Sequence, residues 1–170
     1  MALLEILNYP DERLAEKSVA VDEITPELLK LAADMAETMY DAPGVGLAAP
    51  QVGILQRLIV IDCAHSGEPE DLIVAFNPEI VAREGECFEE EGCLSVPGYA
   101  AKVHRAAQVK VRYQDRDGAT VEREADELLA IAFQHEIDHL DGILYVDRLS
   151  SLKRGMFRKK YQKILAQMEQ

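Results

Sequence analysis

The residues of this chain whose types and spacing could do chemistry are His135, Glu136 and His139, in the run His135-Glu136-Ile137-Asp138-His139. On a helix, positions i and i+4 share one face, so the two imidazoles could bind one divalent ion while Glu136 reaches a water on that ion. The pattern reads as metal-assisted hydrolysis. Taken alone, it also fits two surface histidines on an ordinary amphipathic helix. The rest of the chain must therefore supply a third ligand.

Downstream, the position at which one class of zinc hydrolases carries that third histidine is Tyr145, and beyond Arg148 the only carboxylate side chain is Glu169, close to the end. The ligand is expected upstream, among Cys63, Cys87, Cys93, His65, His104 and the carboxylates. Cys93 stands out because it sits in Glu91-Gly92-Cys93-Leu94-Ser95-Val96-Pro97-Gly98, a tight, glycine-flanked segment where a thiolate would face a cleft. Cys63, inside the apolar run Leu58 to Cys63, reads as a small buried hydrophobe, and so does Cys87. Spacing would allow a Cys87 to Cys93 disulfide. It would leave one of three cysteines unpaired, in a chain large enough not to need a staple.

The elements that must position these residues follow from capping and periodicity. Asp126 reads as an N-cap and Gly142 as a stop for the histidine-bearing helix, Asp126 to Leu140. Leu128, Ile131 and Ala132 share a face with His135 and give an apolar wall beside the ion, most of it core. Thr25-Pro26-Glu27 starts a helix to about Tyr40, and another is expected near Leu152 to Met168. Strands are expected at Arg57 to Asp62, Leu72 to Phe76, Val109 to Gln114 and Thr120 to Glu124, with Asp115-Arg116-Asp117-Gly118 as a hairpin turn. Strands and helices do not alternate regularly, which points to an α+β fold rather than a doubly wound sheet. Gly44-Val45-Gly46 follows a helix, not a strand, and Pro50 removes a backbone donor, so a nucleotide cradle is not indicated. A loop whose open backbone pairs with an extended peptide fits better.

The chain has 170 residues, 48% of them hydrophobic, with no linker or repeat, as expected of one domain spanning residues 1–170. A net charge of -13 argues against a general nucleic-acid binder, and DNA is not an expected partner. Met1 to Pro10 lacks a basic region followed by an apolar run, and no segment approaches a membrane span. A cytoplasmic protein of bacterial type is expected. Glu84, Glu86, Glu89, Glu90 and Glu91 read as a solvated loop or hairpin edge. Basic residues crowd the tail at Arg148, Lys153, Arg154, Arg158, Lys159, Lys160 and Lys163. With Leu152, Met156, Ile164 and Met168 at helical spacing, residues 151–168 read as a basic amphipathic helix. It is either packed with a solvated positive face or used to dock on ribosomal RNA.

Three motifs in order resemble those of the peptide deformylases: Gly44-Val45-Gly46-Leu47-Ala48-Ala49-Pro50-Gln51, Glu91-Gly92-Cys93-Leu94-Ser95 and Gln134-His135-Glu136-Ile137-Asp138-His139. The text between Leu7 and Leu152 is similar throughout. The resemblance implies antiparallel sheets packed around the central helix, with a C-terminal helix. It implies removal of the N-formyl group from the initiator methionine of nascent chains. Cys93, His135 and His139 would hold the ion, with Glu136 as general base and then acid. The Leu94 backbone N–H and the Gln51 amide would face the developing oxyanion. Val45, Gly46, Glu91, Gly92, Leu128, Ile131 and Ala132 would contact substrate. Fe(II) is the implied ion, with Zn(II), Ni(II) or Co(II) as substitutes; a thiolate suits all four and disfavours Mg(II) or Ca(II).

The chain departs from part of the family at Ala100, where some members carry an arginine that pairs with the carboxylate matching Glu91. Lys102 or Arg105 could substitute. Glu89 stands where relatives can carry an apolar pocket-rim residue. Two rivals share much of this signature: a metallopeptidase cutting internal amides, and a non-catalytic metal- or peptide-binding protein, which would need neither Glu136 nor Gln51.

Overall fold

In the computed structural model, residues 2–65 and 67–169 are described; Met1, Ser66 and Gln170 of the expected 1–170 unit lie outside them. Helix α1, Pro26–Asp41, begins where Thr25 caps it, its hydroxyl accepting from the Leu28 N–H, with Pro26 in the first turn. The chain then gives β1 (Gly46–Ala48), β2 (Leu58–Ile61), β3 (Ile73–Glu84), β4 (Cys87–Cys93), β5 (Val96–Arg105), β6 (Gln108–Gln114) and β7 (Thr120–Asp126). Helix α2, Glu127–Leu140, a 3-10 turn at Tyr145–Arg148 and helix α3, Ser151–Met168, complete it. All strand pairs are antiparallel, forming a five-stranded sheet in the order β1-β2-β3-β6-β7 and a separate β4-β5 hairpin.

The first half of the large sheet is buried on both faces because a helix covers each. Side chains alternate along a strand, so Leu58, Val60, Val74 and Phe76 pack towards Met35 and Met39 of α1. Ile59, Ile61, Ile73 and Ala75 point the other way, onto Phe133, Ile137 and Leu140 of α2. Each fully buried side chain of this size contributes about 1.5–3 kcal/mol. A third cluster joins Val96 and Val103 of β5 to Tyr145, Leu149, Phe157 and Tyr161, and so docks α3 on the hairpin.

Three expectations need correction. The strand expected at Leu72 to Phe76 starts at Ile73 and runs on to Glu84, and β4 and β5 were not expected as strands. Their outer residues are charged and solvated, so apolar alternation does not mark them. The apolar stripe assigned to α3 is largely exposed, with Leu152 at 76% and Met156 at 61%, whereas the packed face carries Phe157, Tyr161 and Ile164. Asp126 does occupy the cap position of α2, but its side chain makes no capping hydrogen bond, because β7 runs directly into the helix.

Gly142 ends α2 as expected. The N–H of Gly142 donates to the His139 carbonyl and that of Ile143 to the Asp138 carbonyl, a Schellman closure with Gly142 at φ 76°. A Cβ at Gly142 would lie 2.5 Å from the Ala15 carbonyl oxygen. Gly142→Ala is expected to lower stability by about 1–3 kcal/mol, from the positive φ and this collision together. An unchanged denaturant midpoint would remove the argument.

Candidate metal centre and active-site cleft

Helix α2 enters the site with nine consecutive buried residues, Ala132 to Leu140, of which Ala132, Phe133, Ile137 and Leu140 pack on the sheet. The opposite side of α2 faces β4, whose last residue is Cys93. There the Cys93 sulfur lies 3.3 Å from His139 Nε2, and donor atoms of Cys93, His135 and His139 all lie within 4.8 Å of one another. Tetrahedral coordination at ~2.0–2.3 Å puts donors roughly 3.3–3.7 Å apart, so this trio fits one ion with small side-chain adjustment. Cys63 and Cys87 are not part of it: burial pushes the Cys63 thiol up to about 11, and Cys87 contacts the Ala106 carbonyl.

The imidazole orientations are set from behind. His135 Nδ1 is 3.0 Å from Glu91 Oε1, which leaves Nε2 free for an ion. Arg105 donates to both Glu91 oxygens at 2.9 Å and to Asp138 Oδ2 at 2.6 Å, and Arg148 grips Asp138 from outside. Burial opposes charge on His135, but Glu136, Cys93 and Glu91 outweigh it and hold its pKa well above the ordinary imidazole value. Burial and the neighbouring positive groups His135 and Arg105 push His139 well below. The surroundings of His135 thus favour a positive charge, which an ion would provide.

Glu136 is 4% exposed, with Oε2 4.0 Å from His135 Nε2, and its Oε1 has no hydrogen-bond partner. Burial raises its carboxyl pKa to about 7. Such a group exchanges protons readily near neutrality. Gln51 is anchored by the Ala48 N–H donating to Oε1 at 2.9 Å, and its amide donates to Ser95 Oγ at 3.0 Å with the Cys93 sulfur at 3.7 Å.

A cleft of about 650 Å³ opens onto these groups, and its lining includes Val45, Gly46, Gln51, Glu91, Gly92, Cys93, Leu94, Leu128, Ile131, Ala132, His135 and Glu136. His139 is buried beneath it, 1% exposed. Every site residue expected from sequence is therefore in the cleft wall or directly under it. Glu91 differs in its surroundings: both its oxygens are engaged by Arg105 and His135. Arg105, not Lys102, is its partner; Lys102 lies over the Phe88 ring instead. Ile6, Pro43, Pro97 and Gly98 also line the cleft, and Asp138, Arg148 and Ser95 complete its support. Sequence reasoning missed these. Asp138 stands inside the third motif and Arg148 among the basic residues of the tail, and only the helical spacing of Asp138 from His135 points to a shared face.

A sulfur and two imidazoles beside an unpaired carboxylate, at the floor of a cleft, are the equipment of a metal-dependent hydrolase. The family model described as Polypeptide deformylase matches residues 3–155. A peptide deformylase of Thermodesulfovibrio yellowstonii is 54% identical over 162 residues, spanning 95% of this chain and 98% of the relative. The crystal structure of a peptide deformylase from Legionella pneumophila superposes with a TM-score of 0.92 at 48% identity, covering 99% of this chain and 98% of that one. An Ehrlichia chaffeensis peptide deformylase in complex with actinonin gives 0.89 at 37% identity, over 96% and 98% of the two chains. The chain belongs to the polypeptide deformylase family.

Gly46 is required by this geometry. A Cβ there would meet Glu136 Oε2 at 2.5 Å and Cδ at 2.9 Å. Gly46→Ala is expected to displace the carboxylate and lower deformylase turnover roughly 100-fold, the scale of a ~1 Å misplacement. Bound-metal analysis should remain near one ion per chain. Full turnover in the variant would show that Glu136 is not constrained from this side.

Proposed function

We propose that residues 1–170 act as one catalytic domain that removes the N-formyl group from the initiator formyl-methionine of nascent polypeptides, releasing formate. The observation that carries this reading is the convergence of Cys93, His135 and His139 beside Glu136 at the floor of a partly apolar cleft. An ion held by those three would supply Lewis acidity and make water a nucleophile at neutral pH. Glu136 takes the proton of the attacking water through its unpaired oxygen and returns it to the departing amine. The Gln51 amide and the Leu94 backbone N–H donate to the oxygen that gains charge as the formyl carbon becomes tetrahedral.

Val45 and Leu128, each 42% exposed, form with Ile131 and Ala132 the wall that receives the methionine side chain. Burying such a group contributes about 1.5–3 kcal/mol, enough to orient the substrate. Gly46 and Gly92 leave the flanking backbone open to the peptide. Glu91 serves the reaction through the ring orientation of His135.

A thiolate with two imidazoles suits Fe(II), Zn(II), Ni(II) or Co(II), and the family resemblance favours Fe(II) as the ion in the cell with the others as substitutes. No helix among the described residues is long and apolar enough to cross a membrane, in keeping with a cytoplasmic site of action. Anaerobically purified protein should contain iron and release formate from formyl-Met-Ala-Ser. Gln51→Ala should lower kcat by about 10²–10³ with little change in KM. Cleavage of an N-blocked casein digest without formate release would overturn the reading in favour of an internal peptidase.

The exposed basic face of α3 supports docking on ribosomal RNA. Phe157 and Tyr161 are 1% and 2% exposed in the third core cluster, so deleting the helix would damage the fold and decide nothing. Charge reversal at Lys159 and Lys163 leaves that cluster intact. Co-sedimentation with ribosomes at low salt should fall in the reversed variant and vanish as salt rises. Equal co-sedimentation of both proteins would exclude docking through this face.

A further inference from the structure

We infer that Arg148, at the outer end of a buried chain of alternating charges, is a positioning residue for the metal-binding ring of His135. The inference rests on the reading of Cys93, His135 and His139 as the ion's ligands. His135 Nδ1 meets Glu91, Glu91 accepts both prongs of Arg105, and Arg105 Nη1 donates to Asp138 Oδ2. Arg148 closes the sequence, Nε donating to Asp138 Oδ2 at 2.6 Å and Nη2 to Oδ1 at 2.7 Å.

The side chains of Arg105, Glu91 and Asp138 are 2%, 4% and 11% exposed, whereas that of Arg148 is 42% exposed. Arg148 is thus the one member that water can reach freely. Two carboxylates and two guanidiniums balance. Without Arg148 the buried remainder carries one excess negative charge, and Asp138 competes with Glu91 for Arg105. Arg105 would be drawn towards Asp138, loosening the fork that holds Glu91 against His135. The 3-10 turn carrying Arg148 also presents Tyr145, whose ring lies 5.9 Å from that of His135 at 30°. A single short turn therefore braces the ring by a packed face at one end and by the ion chain at the other.

Charge and geometry predict opposite results, which makes the inference testable. If Arg148 acted through charge alone, removing it would leave the site more negative and tighten a cation. If it acts through geometry, affinity falls. Partners behind a metal-bound histidine typically matter 10- to 100-fold in metal affinity, and Arg148 stands further out than Glu91, so about tenfold weakening is expected.

The experiment is titration of the full-length metal-free protein with Co(II), reading the visible thiolate and ligand-field bands, for the starting protein, Arg148→Leu and Arg148→Lys. Arg148→Leu should weaken Co(II) binding about tenfold and shift the ligand-field bands. Arg148→Lys keeps the charge but loses the fork, and should recover only part of the affinity. In an Asp138→Asn background, Arg148→Leu should have no further effect. Tighter binding in Arg148→Leu, full recovery by lysine, or unchanged bands with only a lower melting temperature would each overturn the role. Failure of the starting protein to bind Co(II) with a thiolate band would instead overturn the ligand assignment.

Discussion

The bonds from Glu91 to His135 and from Arg105 to Asp138 join the β4-β5 hairpin to helix α2, and the site depends on that joint. Cys93 and His139 are forty-six positions apart and belong to different layers of the fold. Nothing in the main sheet brings them together, because the hairpin is a separate two-stranded unit. What fixes the hairpin against α2 is a carboxylate that turns inward from β4, shared between an arginine on β5 and a histidine on α2. Breaking one member of such a buried pair typically costs about 3–5 kcal/mol, because the other charge is left without compensation. A loss on that scale would fall on the placement of Cys93 as much as on stability.

The first part of the main sheet supplies the opposite side of the cleft by a different means. β1 is only three residues long, yet all three are buried, since α1 packs on one face and α2 on the other. Gly46 lets that strand approach the Glu136 side chain without a Cβ between them. The chain then turns through Ala49–Val52, and Gln51 points back to bond Ala48, Ser95 and the edge of the Cys93 sulfur. Apolar packing thus places one wall and ion pairing the other.

The sequence made some of this legible and hid the rest for physical reasons. The candidate pair His135 and His139 is readable because one helix carries both, and local geometry decides their distance. Thr25, Pro26 and Gly142 are readable because caps and stops are local too. Strand β2 shows itself as an uninterrupted apolar run, buried on both faces. The hairpin does not, because its Glu89, Glu90, Lys102 and His104 face water, and of its charged residues only Glu91 and Arg105 turn inward. A buried carboxylate and a solvated one are the same letter, so their pairing awaits tertiary structure. On α3 the error is of another kind: Leu152 and Met156 draw the eye by hydropathy, while the aromatic pair Phe157 and Tyr161 does the packing.

Helix α2 carries five buried polar side chains in six positions, and burial of that kind is stabilising only when each finds a partner. Gln134 bonds the Ala106 backbone in both directions, tying α2 to the link between β5 and β6. Asp138 ties it to Arg105 and Arg148, and His135 to Glu91. The polar residues of this helix therefore bind neighbouring segments, as its apolar residues bind the sheet. His139 Nδ1 and Glu136 Oε1 break the rule, since no protein group satisfies either, and of the two only Glu136 is a carboxylate. A folding criterion alone would replace it by something smaller and neutral, since a carboxylate held in a dry place is costly. A carboxylate in that place, beside three side chains that could hold an ion, makes sense when the missing partner is a molecule that arrives, reacts and leaves.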